Sequence, residues 1–116
     1  MRHRNSKKTL GRSDSSRKAL LRDLATALVT YEKIETSFGR AKVVKPMVER
    51  LITKAKANDL AARRQLMRVF TTEQPVNKLL EVIGPRYKDR KGGYTRLTKL
   101  GTRLGDKAET AVLELV

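Results

Sequence analysis

Apolar residues recur at three- and four-residue steps through Leu20, Leu21, Leu24, Ala27, Leu28 and Tyr31, with Lys18, Arg22 and Thr26 on the opposite side. That period predicts an amphipathic helix. Ser13-Asp14-Ser15-Ser16 ahead of it supplies side-chain oxygens for the unpaired N–H groups of a helix start. The period then changes to two in Lys33-Ile34-Glu35-Thr36-Ser37-Phe38, where Ile34, Thr36 and Phe38 share a side, and this predicts a short strand. Thr36 or Ser37 can cap a second helix, whose stripe is Ala41, Val44, Met47, Val48, Leu51, Ile52 and Ala55. Pro46 falls inside that stripe and removes a backbone donor, so a kink or a broken first turn is expected there.

Asn58-Asp59 stops the second helix and caps a third, with Leu60, Leu66, Met67 and Phe70 inward and Arg63-Arg64 outward. Thr72 caps a fourth, with Val76, Leu79, Leu80 and Ile83 on one side, and Gly84-Pro85 is expected to end it through a left-handed glycine. Tyr94 to Leu100 and Thr110 to Val116 then alternate as two strands around the connection 101–107. The fold class expected is α+β, with about four helices packed on a small mixed three-stranded sheet of one early and two C-terminal strands. Pairing the early strand with the late ones would tie both ends of the chain together and draw their basic segments close.

With 116 residues the chain suits one domain. Residues 1–12 show no periodicity and are expected to form a basic extended arm that orders on binding. Residues 13–116 are expected to form a single globular α+β domain with a basic loop over 85–94. No cysteine is present, which removes disulfides and thiolate chemistry and suits a reducing compartment. No apolar run approaches the roughly 18 residues of a membrane span, and the basic N-terminus lacks the apolar segment of a signal peptide. A cytoplasmic protein is expected.

Charge changes the picture most. Lysine and arginine number 27 against 12 acids, a formal net charge of +15. Residues 1–18 carry +6 and residues 86–107 another +6, so two short segments hold most of the excess. Such clustering calls for a polyanionic partner. The segment Pro85–Lys99 combines cations with Tyr87, Tyr94 and the Gly92-Gly93 pair. Its arginines can fork onto phosphates, its glycines let a backbone approach closely, and its tyrosines can stack on an unpaired base or pack in the core. The expected nucleic-acid contacts are Arg2, His3, Arg4, Lys7, Lys8, Arg12, Arg17 and Lys18 in the first segment. In the second they are Arg86, Tyr87, Arg90, Lys91, Gly92, Gly93, Tyr94, Arg96, Lys99 and Arg103.

Catalysis has little to work with. His3 is the only histidine, and no metal-ligand or phosphate-loop spacing occurs. Asp89, Asp106 and Glu109 fit surface ion pairs or turns better than acid–base work. The chain is read as no enzyme, with no cofactor and no metal. A DNA-compacting architectural protein is the alternative to RNA binding. It lacks a helix-turn-helix, zinc-finger or zipper pattern to support it.

Ordered along the chain are Met1-Arg2-His3-Arg4 with Leu10-Gly11-Arg12, Arg17-Lys18-Ala19, Ile34-Glu35-Thr36-Ser37 with Arg40-Ala41-Lys42, and Asp59-Leu60 with Ala62-Arg63-Arg64. They continue with Pro85-Arg86-Tyr87, Asp89-Arg90, Gly92-Gly93-Tyr94-Thr95-Arg96, Gly105-Asp106 and Glu114-Leu115-Val116. In this order and spacing the whole chain resembles the bacterial large-subunit ribosomal protein numbered seventeen. It departs from that family at Ser16, where many relatives carry histidine, and at Gly39, where small or acidic residues are commoner. The resemblance implies a non-catalytic constituent of the large subunit, bound to 23S rRNA on the solvent side toward the tunnel exit. It also implies neighbouring large-subunit proteins as partners, the one numbered thirty-two among them, and a place in the ribosome in the cytoplasm.

Overall fold

The computed structural model describes residues 13–116; the expected basic arm over 1–12 lies outside the described residues. Helix α1 spans Asp14–Tyr31, and the Ser13 side chain accepts from the Ser16 N–H at its start. It ends where Glu32 turns left-handed, with φ of 65°, and returns its N–H to Leu28 O. Strand β1 covers Lys33–Ser37, and helix α2 follows at once over Phe38–Lys56. Phe38 therefore opens a helix instead of closing the strand, and its ring is covered by the ammonium groups of Lys42 and Lys99. Ser37 sits at the cap position without a side-chain cap bond, and α2 runs unbroken through Pro46.

Asn58, with φ of 51°, breaks the chain direction, and the Asp59 carboxylate accepts from the Ala62 N–H to start α3, Leu60–Val69. Ala62, Leu66 and Phe70 face the core, whereas Leu60 and Met67, expected inward, are exposed. A ten-residue helix with one buried stripe cannot turn both ends of so wide an apolar set inward.

The fourth helix, α4, is α-helical over Glu73–Lys78, π-helical over Leu79–Ile83 and α-helical again over Gly84–Arg86. Gly84-Pro85 does not end it. Gly84 is right-handed, with φ of −54°, and its N–H reaches back to Leu79 O. Pro85 has no N–H for the Glu81 carbonyl and its ring would crowd that carbonyl in a regular α-helix, so a widened turn ahead of it is the physical answer. Gly84 is required for closeness instead. A Cβ there would lie 2.9 Å from Leu79 O and 3.1 Å from Ala55 O on α2.

Strand β2 spans Thr95–Thr102 and β3 spans Glu109–Leu115. The sheet order is β1-β3-β2, and β3 pairs antiparallel with both neighbours. The sheet is thus antiparallel throughout and not mixed, because the two strands that run the same way, β1 and β2, are kept apart by β3. Leu113 sits opposite both Ile34 and Leu97, so one face is apolar and packs on the helices, mainly α2. A bulge between Lys99 and Gly101 carries β2 past the expected strand end at Leu100. The hairpin closes on a turn in which Asp106 accepts from Arg103 and from the Ala108 N–H, leaving Leu104 99% exposed.

The core joins Ala25, Leu28 and Val29 of α1 to the α2 stripe, Leu66, the inner side of α4, and Ala111 and Leu113. Tyr31 does not join it. At 75% exposed it lies beyond the last buried turn of α1.

Candidate nucleic-acid interface

The segment after α4 is anchored to α2 on one side and to the C-terminus on the other. The Tyr87 hydroxyl donates to Val116 O at 2.6 Å, and its ring lies 5.2 Å from that of Tyr94. The Tyr94 hydroxyl meets Thr53 Oγ1 and Lys56 Nζ, both at 3.2 Å. The two residues are 4% and 1% exposed, so neither ring is open to stack on a base. The stacking role expected for them is corrected: two aromatic rings bury more apolar area than any other side chains in this segment, and the core claims them.

The loop between them is stapled from the helix side. Lys56 Nζ donates to the Arg90 carbonyl, and the Glu49 carboxylate accepts from Thr95 Oγ1 at 2.6 Å and Lys45 Nζ at 2.9 Å. Burial pushes the Glu49 carboxyl up, but the bonds from Thr95, Lys45 and the Gly93 backbone outweigh it and leave the group below its ordinary value. Burial likewise raises the Tyr94 phenol, and its bonds to Thr53 and Lys56 bring it net below the usual range. Gly92 and Gly93 both have positive φ, 108° and 63°, which turns the chain from the loop into β2. The irregular stretch begins at Tyr87, two residues later than the loop expected from residue 85, because Pro85 and Arg86 belong to α4.

The expected contacts divide accordingly. Arg2, His3, Arg4, Lys7, Lys8 and Arg12 lie outside the described residues. Arg17 and Lys18 occupy the first turns of α1, where Lys18 lines a groove with Arg22, Met47 and Arg68. Arg86 is engaged by Glu32, which also holds Lys78 at 3.3 Å. The Arg86 hydrogen bond, against the opposing effect of burial and with help from Lys78, keeps the Glu32 carboxyl below its ordinary value. Arg103 pairs with Asp106, whose carboxyl is held down at about 2 by that arginine and by the Ala108 N–H. Arg96 approaches Glu114 at 3.7 Å, and Lys99 lies 4.4 Å over the Phe38 ring. Arg90 and Lys91 are exposed, and no acid pairs with either among the described residues.

Sequence reasoning misses the cations that α2 contributes. Arg50 and Lys54 stand one turn apart on its outward side, and Lys56 is the staple. The pattern does carry a signal for them, since Arg50 and Lys54 fall between the apolar positions of the stripe and Lys56 directly follows its last, Ala55. Among the described residues no group of three or more acidic or histidine side chains could hold a metal ion. No described helix is long and apolar enough to cross a membrane.

Comparison with known proteins gives one consistent family. The pattern of the family described as ribosomal protein L17 matches residues 20–116. A large ribosomal subunit protein bL17 from Syntrophotalea carbinolica is 50% identical over 116 residues, covering 100% of this chain and 75% of that relative. One from Rickettsia bellii is 47% identical over 100% of this chain and 82% of the relative. One from Staphylococcus carnosus is 50% identical over 92% of this chain and 96% of the relative.

Proposed function

The chain belongs to the ribosomal protein L17 family, and from that premise we propose that it is a structural constituent of the bacterial large ribosomal subunit. In this reading it binds 23S rRNA through the basic N-terminal arm and the C-terminal segment, and its role in translation and assembly is non-catalytic. Its place is the ribosome in the bacterial cytoplasm, beside other large-subunit proteins such as the one numbered thirty-two. The observation that carries the RNA reading is the stapled loop. Arg90 and Lys91 are presented with no acidic partner among the described residues, on a backbone fixed by Lys56, Glu49 and Tyr94. A loop held this way loses little further freedom when it meets phosphates, so its charges act on a prepared surface. Arg86 and Arg103, already paired with acids, contribute less than their charge suggests.

The test is the salt dependence of binding to large-subunit rRNA, with random duplex DNA as competitor. Arg90→Gln with Lys91→Gln is expected to shallow the slope of log K against log salt by roughly 0.7–0.9 for each phosphate no longer neutralised. An unchanged slope would mean that the loop is merely solvated. Equal displacement by DNA would favour a DNA-architectural protein instead.

A further inference from the structure

Between α2 and the 88–94 loop runs a groove of about 450 Å³, lined by Pro46, Glu49, Arg50, Thr53, Lys54, Gly92 and Tyr94. That volume is in the range of small-ligand clefts, roughly 300–1,000 Å³, and admits a nucleotide. Floor and banks differ in character. Pro46, which is exposed, makes the floor apolar, and Tyr94 lines the groove while remaining buried. Arg50 and Lys54 form one bank, both exposed and neither paired with an acid among the described residues. Gly92 forms the other, directly after the exposed Arg90 and Lys91. Glu49 is the acid that lines the groove, and its carboxylate is already taken by Lys45 and Thr95.

We propose that this groove is a binding site for one unpaired strand of RNA, with phosphates on Arg50, Lys54 and the loop cations and a sugar or base edge on the apolar floor. The inference rests on the RNA-binding reading above and adds α2 to it as a contact element. Arg50 and Lys54 lie four residues apart, about 6 Å along the axis, so they meet successive groups of a backbone running along the helix. A Cβ built on Gly92, whose φ is 108°, would meet nothing within 4 Å, so its bank is open to a close approach. A duplex keeps its base faces stacked and paired inside, whereas an unpaired strand can lay a base on the apolar floor while its phosphates meet the cations.

The experiment uses the full chain assembled into large subunits. Arg50→Gln with Lys54→Gln is expected to enter the particle yet dissociate at lower salt, the slope of log K shallowing by roughly 0.7–0.9 per phosphate released. The chain has no cysteine, so Lys54→Cys carries a tethered iron chelate at one defined place, and cleavage of unpaired rRNA nucleotides is expected. If the parent chain enters large subunits but the double variant keeps its salt profile and the tether cuts no rRNA, the groove faces protein or solvent and the proposal is overturned alone. If the parent chain does not enter large subunits, the reading it rests on falls, and the groove proposal with it.

Discussion

Glu32 shows how much one residue can be asked to do. It ends α1 in a left-handed conformation, gives its carbonyl to the Leu115 N–H, and holds Lys78 and Arg86 on either side of the π-helical stretch of α4. Its carboxyl is held below 4.5 in the fold by the Arg86 hydrogen bond, with burial opposing and Lys78 assisting. Between the folded and unfolded values the unfolded chain binds more protons. The stabilisation is therefore present above about pH 4.5 and fades as pH falls through the lower folded value. Glu32→Gln should cost up to about 1 kcal/mol near neutrality, since the pair is a third exposed. The gap between variant and parent should narrow as pH falls below the ordinary carboxylate range, which urea midpoints across the acid range will measure. None of this is legible in the sequence. The partners lie 46 and 54 residues away, and period alone would put the neighbouring Tyr31 in the core. Periodicity reports which side of a helix a residue occupies, not where along the helix the neighbours stop.

At the scale of elements, local pattern is a good guide and chain punctuation is not. The stripes of α2 and α4 and the alternation of β3 are visible in the sequence because each buries one whole side. Gly84-Pro85 misleads because the same pair of residues serves two purposes. Its glycine has the signature of a left-handed stop, but it exists to let the carbonyl of Ala55 approach. A Gly84→Ala change separates the two explanations. On an ordinary helix at a right-handed φ it would add stability by roughly 0.8–1 kcal/mol. Against two backbone oxygens that cannot move aside, we expect a net loss of about 1–3 kcal/mol, read as a lower urea midpoint with an unchanged slope. The candidate interface is legible in outline for a related reason. Charge clusters are sequence-local, whereas burial of Tyr87 and Tyr94 and the recruitment of Arg50 and Lys54 depend on what α2 packs against.

For the molecule as a whole, +15 on 116 residues is a standing internal repulsion. Screening relieves that repulsion and weakens attraction to a polyanion by the same mechanism. Raising sodium chloride from about 50 to 300 mM should thus raise the unfolding temperature of the free chain while lowering its affinity for rRNA. Thermal scans and filter binding in matched buffers check both signs. A free chain that loses stability over that range would mean that its internal ion pairs outweigh its excess charge.

The central position of β3 has a consequence for synthesis. Both of its partners precede it in the chain, so neither β1 nor β2 has a hydrogen-bonded neighbour until residues 109–115 have been made. Helices can form as the chain emerges, but no strand pairing of this sheet can begin before β3 is made. A chain halted before Glu109 would carry two strands with neither edge paired, the state that invites aggregation or degradation. Strand order thus makes the last strand a test of whether translation ran past it.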